Sequence, residues 1–313
     1  MSSPSLTAKD ILLIALSGFG VFYVIVLWHG LVEKRTLGLS PGDSATPSPG
    51  GLFTGFFTNF WDTLGIGSFA TTTAIFRQFK MVRDELIPGT LNAGHTLPTI
   101  AQAFIFTKLV PVDSKTLILM IIAAVAGSWL GAGFISRWPR RWIQVGMGVA
   151  LLVAAALIVM TLFKLFPAGG TAQSLEGTRL WIGIAGNFTL GALMTLGIGL
   201  YGPCMILIYL LGMNPLAAFP IMMGSCAFLM PVATARFIKA QKYHPGATVA
   251  LAVGGVPAVL IAAYIVKSLP LTVVRYLVVV VVVYAAVSLL LAARREHSKT
   301  FDLEGGVKET AAS

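Results

Sequence analysis

"TLGIG" stands at Thr63–Gly67 and again at Thr195–Gly199, each copy midway through a long apolar run. Glycine is a poor helix former, so two glycine pairs at these places interrupt segments that would otherwise read as continuous spans. The surrounding composition fixes the solvent. Of 313 residues, 56% are hydrophobic and only 11% are charged, too little charge to cover a soluble domain of this length. A bilayer core takes about 20 apolar residues per helix. Candidate segments lie at 11–31, 51–76, 88–107, 116–136, 142–163, 180–211, 216–235, 246–266 and 271–293. The chain therefore reads as an all-α polytopic membrane protein. Its net charge of +10 is spread over short loops, as expected of topogenic Lys and Arg at a membrane face and not of a nucleic-acid surface.

The two copies belong to a longer repeat. Displaced by 132 residues, Pro88 falls on Pro220, Asn92 on Gly224 and Phe69 on Tyr201. With one-residue shifts, Pro98 matches Pro231 and the Arg137–Pro139 turn matches Ser268–Pro270. The expected organisation is an N-terminal transmembrane helix and Pro/Gly/Ser-rich loop (1–50), a first repeat (51–165), a connecting loop (166–179), a second repeat (180–293) and a polar cytoplasmic tail (294–313). The first segment is long for a signal peptide and is followed by "VEKR" without a small-residue cleavage site, so it reads as a retained helix. Duplicated modules of this kind are typical of transporters.

Charge selects between two threadings. If all nine segments cross, Lys and Arg divide almost evenly between the faces. If each TLGIG segment turns back as a hairpin of two half-helices, fifteen of the 22 basic residues share one face, in agreement with the positive-inside tendency. The expectation is seven crossings and two re-entrant hairpins, with the N-terminus outside and the C-terminus cytoplasmic in a cell (inner) membrane. Each repeat then has three crossings, and the odd number makes the second repeat inverted. Nine continuous helices with glycine kinks are the alternative, since hydropathy does not separate a kink from a hairpin.

A helix break inside the hydrocarbon zone leaves N–H groups unpaired at the next helix start, and these with the helix dipole favour an anion. Two inverted copies would aim two such ends at one point near the midplane. On this reading Gly65, Gly67, Gly197 and Gly199 shape the site; the plainer reading is that they permit close helix packing. Ser68, Thr71 and Thr72 share a helix face after the first break, and their hydroxyls either meet anion oxygens or bond their own i−4 carbonyls. Asn59 and Asn92 bring amides. Tyr201, Gly202 and Cys204 hold the corresponding region of the second repeat, with Ser225 and Cys226 on the next helix. No base that would activate a cysteine is evident nearby, so both cysteines read first as packing residues.

Two ionisable residues stand in apolar surroundings, Asp62 and His95, and such groups are functional suspects. Both are candidates for carrying a coupled proton, and the two could pair across the hairpin. The plainer readings are that Asp62 caps the second half-helix or lies at an interfacial edge, and that His95 is a satisfied core histidine. At the repeat-equivalent positions stand Met194 and Ala227, so any titratable pair belongs to the first half alone.

The stretches "GFFTNFWDTLGIGSFATTTAIF" (55–76) and "GALMTLGIGLYGPCMILIYLLGMNP" (191–215) resemble the two glycine-rich repeats of the TauE/SafE sulfite-exporter family. The likeness runs across about 50–293, and the second copy is the better match. Neither copy keeps the family's fuller glycine run or the proline just beyond it: the first has Gly67-Ser68-Phe69, the second Gly199-Leu200-Tyr201 with Pro203. The resemblance implies a permease for sulfite or an organosulfonate, not an enzyme, with a small anionic substrate and the lipid bilayer as partners. A homodimer is left open. No cofactor, metal-ligand or nucleotide motif is legible in the sequence. Competing readings are a channel on the same hairpins, a proton- or cation-coupled carrier of another solute such as a carboxylate, and an intramembrane hydrolase using Ser68 of "GIGSFA" with His95.

The charge pattern makes topology testable. Cysteines introduced beside Arg83 and Arg140 are expected to react only with cytoplasmic reagent, and one beside Thr171 only from outside. Labelling beside Arg83 from the outside would rule out the turned-back hairpin.

Overall fold

A computed structural model describes residues 7–38, 46–64, 67–165, 170–197 and 199–265, with three isolated positions beyond them. Gly65, the loop at 39–45, the segment expected at 271–293 (those three positions apart) and the tail at 294–313 lie outside the described residues.

The described chain is helical. α1 (Ala8–Thr36) precedes α2 (Pro49–Thr63), α3 (Ser68–Gln78), a 3-10 turn at Asp84–Leu86, α4 (Ile87–Gly94), α5 (Thr96–Leu109), α6 (Ser114–Ile135) and α7 (Arg140–Leu162). There follow α8 (Gly177–Met194), α9 (Tyr201–Leu210), a 3-10 turn at Pro215–Ala217, α10 (Ala218–Lys239) and α11 (Pro245–Ile265), so a long helix, a short helix and a 3-10 turn come in succession twice. Four of these, Ala8–Thr36, Ser114–Ile135, Ala218–Lys239 and Pro245–Ala263, are long and apolar enough to cross a membrane. Both TLGIG segments are breaks between a longer and a shorter helix, as their glycines imply. The backbone at Gly67 and Gly197 has φ of 91° and 94°, a conformation that favours glycine.

Local chemistry explains the boundaries. Thr7 and Asp10 form a reciprocal capping box at the start of α1, Ser48 caps α2 ahead of Pro49, and Asp113 caps α6 through the Thr116 N–H. The expected single segment at 88–107 is interrupted at His95. Pro98 follows closely and has no N–H with which to close the turn there. Pro231, its counterpart in α10, sits inside a helix that continues.

Contacts give each helix a direction. Along α2 and α11 the partners rise together: Gly51 meets Ala250, Gly55 meets Leu251 and Asn59 meets Gly255, so the two helices run parallel. α6 and α8 do the same, with Met120 beside Gly183 and Asn187, Ala124 beside Gly191, and Gly131 beside Ala192. α10 runs with α6, since Ile121 touches Gly224 and Ser128 donates to the Leu229 carbonyl. It runs against α4 and α5, where Phe106 stacks on Phe219 and Gly89 meets Phe237. α1 lies along both, donating from the Tyr23 hydroxyl to the Ala93 carbonyl at 2.6 Å and placing Phe19 on Phe228.

The short helices turn back. Asn59 and Asp62 of α2 reach His95 and Gln102 in ascending order, whereas Thr72 and Arg77 of α3 reach His95 and Asp84 in descending order. α9 likewise retraces α8, with Leu207 beside Gly186 and Leu211 beside Gly183. One end of the bundle gathers Lys34, Arg77, Arg83 and Lys242: Lys34 donates to the Tyr243 carbonyl, and Asp84 ties Arg77 to Gln144 of α7. Lys9, Lys108, Lys115 and Arg179 lie at the other end, where Lys9 donates to the Val110 carbonyl and Asp113 N–H to the Gln173 carbonyl.

The parallel pairs are backbone-to-backbone contacts. A Cβ at Gly127 would stand 1.9 Å from the Phe188 carbonyl oxygen, and one at Gly191 2.2 Å from that of Ala124. Gly127→Ala and Gly191→Ala are expected to destabilise the protein by about 1–3 kcal/mol each through overpacking. Gly18→Ala, where an added carbon meets nothing within 4 Å, is expected to be neutral or stabilising by up to about 1 kcal/mol. Melting curves in detergent compare the three.

Candidate functional site

The two breaks face each other inside the bundle. Gly199 lies 3.9 Å from the Phe69 Cβ, measured from its own would-be Cβ. Between the tips is a small cavity lined by Asp62, Gly67, Ser68, Phe69, Thr99, Met194, Gly199, Leu200, Tyr201 and Cys226. Its water-accessible volume is about 10 Å³, room for about one water molecule at most.

The first tip is polar because its backbone requires it. Gly67 has no side chain with which to cap α3, and the α3 start is buried. The carboxylate of Asp62, 3% exposed, takes that duty from the end of α2: Oδ1 accepts from the Ser68 N–H at 2.6 Å. Oδ2 accepts from Gln102 Nε2 at 2.9 Å, and the same amide group also donates to Thr63 Oγ1 at 3.0 Å. Gln102 Oε1 in turn accepts from the Tyr201 hydroxyl at 2.5 Å. A single amide on α5 thus joins the tip of the first hairpin to the tip of the second.

His95 forms a separate chain beside this one. Asn59 spends its amide group on the Gly55 carbonyl at 2.7 Å, which leaves Oδ1 to accept from His95 Nδ1 at 3.0 Å. Nε2 is then the acceptor for the Thr72 hydroxyl, also at 3.0 Å. Phe69 packs against the ring at a centroid distance of 5.7 Å. Asp62 and His95 are therefore bound to different partners and do not pair with one another. The plainer reading of each holds in this respect: Asp62 caps α3, and His95 is a satisfied core group.

The other expected site residues divide between the cavity and its surroundings. Gly67, Ser68, Gly199 and Tyr201 line it. Thr72 holds His95. Thr71 bonds back to the Ser68 and Gly67 carbonyls, and Asn92 Nδ2 to the Pro88 carbonyl, the local bonding open to such side chains. Ser225 accepts from Asn187, which also donates to the Met120 carbonyl, so its hydroxyl serves the α8–α10 contact. Gly197 and Gly202 pack towards α7, next to Met147 and Leu157. Cys204 is wholly buried and is not among the residues lining the cavity. On the second tip, Met194 replaces Asp62, and the Cys226 thiol lies 3.6 Å from its sulfur.

Gln102 and Thr99 went unread in the sequence, although a signal exists. They follow His95 by seven and four residues, the spacing of one helix face, and Gln102 is the one amide side chain in α5.

No protein-family model matches the chain, and no match was found among curated proteins or solved structures.

Thr72→Val leaves His95 Nε2 without its donor in a dry interior and is expected to destabilise by about 1–3 kcal/mol. Thr71→Val, which loses only bonds within its own helix, is expected to have a smaller effect. Thermal unfolding in detergent separates them.

Proposed function

We propose that the protein is a secondary transporter in which two inverted repeats carry a small anion past a pair of re-entrant hairpins. The relative helix directions support the inversion. α2 runs with α11 and α5, and α8 runs with α6 and α10, while α5 and α10 oppose one another; equivalent helices therefore point in opposite directions. The end carrying Lys34, Arg77, Arg83 and Lys242 is the cytoplasmic face by the positive-inside tendency, which puts the N-terminus outside.

The single observation that carries the transport reading is the meeting of the two broken-helix tips at a buried polar cavity. Non-helical backbone at membrane depth is tolerated where it lines such a cavity, and paired broken helices at a repeat interface are the transporter arrangement. A volume of about 10 Å³ is too small for a polyatomic anion, so passage requires the tips to part. Sulfite and organosulfonates are the first substrates to test, on the resemblance of the glycine segments. The carboxylate of Asp62 on the α3 start favours a proton-coupled variant of the same mechanism. An anion moving inward against a negative interior costs about 2.3 kcal/mol per charge per 100 mV, so an importer needs a coupling ion and an exporter does not.

Flux into proteoliposomes, measured over a panel of sulfite, sulfonates and carboxylates, tests this reading. Gly199→Leu, which fills the contact with Phe69, and Gly67→Leu, which forces a left-handed backbone on a branched residue, are expected to abolish flux while protein is still recovered. Normal flux in both variants would leave packing as the role of these glycines.

A further inference from the structure

The hydrogen bonds around Asp62 contain a conflict that a proton would expose. Both carboxylate oxygens accept from donors, Oδ1 from the Ser68 N–H and Oδ2 from Gln102 Nε2. A proton on the lone pair that either bond now uses would aim a donor at a donor. The backbone N–H of Ser68 is fixed to the helix, whereas the Gln102 amide rotates. Turned by half a revolution, it presents Oε1 to the protonated Oδ2 and Nε2 to the Tyr201 oxygen, and Thr63 Oγ1 loses the amide donor it now has. The Tyr201 hydroxyl then loses the acceptor to which it now donates and must find another, for which Thr99 stands on the same cavity wall.

We propose that Gln102 is a relay: a proton taken up by Asp62 turns the Gln102 amide and reverses its bond to Tyr201, exchanging the short hydroxyl donation for an amide donation and sending the Tyr201 proton to a new acceptor, which weakens the tie between the two hairpin tips. The inference deepens the transport reading above and rests on it for its purpose, since it supplies the step by which proton binding widens the gap between the tips. Proton and charge balance within the carboxylate; no bond other than hydrogen bonds is made or broken. The ionisable groups facing Asp62 are Tyr201 from α9 and Cys226 from α10, while α8 offers Met194, α5 offers Thr99 and Gln102, and α3 offers Ser68 and Phe69. His95 is engaged by Thr72 and Asn59, and among the described residues lining the cavity none is Lys or Arg. Asp62 is thus the one carboxyl among those lining residues. Gln102 is a positioning residue, acting through its neighbours.

Cys226 reports the opening without any substrate, because it is buried at 1% exposure on the cavity wall. Its alkylation by N-ethylmaleimide in proteoliposomes, quantified by peptide mass spectrometry between about pH 5.5 and 8, is compared among wild type, Asp62→Asn and Gln102→Met. Rates are divided by those of Asp62→Asn at each pH, so that the titration of the thiol itself cancels. Asn at 62 presents an acceptor and a donor, as the protonated acid does, and is expected to hold the open arrangement throughout. The wild-type ratio is expected to approach one in acid and to fall several-fold as pH rises. Gln102→Met is expected to lose this pH response, with Gln102→Leu used if the first variant is not recovered. A purely structural glutamine would change the rate but leave the response in place, and that result would overturn the relay, as would a flat wild-type ratio. Sulfite flux measured on the same vesicles separates the two ideas. A Cys226 response without anion movement overturns the transport reading and keeps the relay; pH-flat Cys226 with flux does the reverse.

Discussion

The start of α3 is the constraint from which the interior is organised. A helix that begins in a dry interior exposes N–H groups that water does not reach, and an unmet buried donor costs about 1–3 kcal/mol. Gly67 gives the turn but no cap, so the cap comes from Asp62 at the end of the preceding helix. A carboxylate placed there needs donors of its own. Gln102 meets that need, and Tyr201 meets the oxygen that Gln102 has left over. The chain of requirement runs from a glycine φ to the opposite hairpin in four residues.

The second tip solves the same problem differently. Met194 stands where Asp62 would be, its sulfur against Cys226, and Pro203 in the first turn of α9 removes one of the donors that a cap would have to satisfy. Both tips have a glycine at positive φ, but their chemistry differs. Buried polar side chains cluster around the first, where Thr58, Asn59, Thr63, Thr72, Thr90, Asn92, Thr96 and Thr99 are all buried.

Much of this architecture was legible in the sequence. Apart from 271–293, which lies outside the described residues, the apolar segments fell close to the observed helices, and a helix break was expected at each TLGIG segment, where one stands. Hydropathy missed the interruption at His95, because a histidine among apolar residues leaves the mean almost unchanged; Pro98 was the local clue. The site was legible only in outline. Asp62, Gly67, Ser68, Gly199 and Tyr201 do line one cavity, but Thr71 and Asn92 bond within their own helices and Ser225 serves another contact. Which way a hydroxyl or amide turns depends on neighbours brought from distant segments, and one sequence does not carry that information. Gln102 shows the converse, since its importance arises from two partners that lie 40 and 99 residues away.

The pairing of α2 with α11 has a consequence for biogenesis. Gly55 of α2 is closed over by the backbone of Ala250 and Leu251, and Gly254 by that of Leu52. During synthesis the early hairpin therefore waits in the bilayer for a partner translated almost two hundred residues later. Until then its glycine-lined flank and the polar face around Asn59 are open to lipid or to an insertion chaperone. Nascent chains halted before α11 would be the species most exposed to quality-control proteolysis, and completion of the final helices would act as the checkpoint for the first.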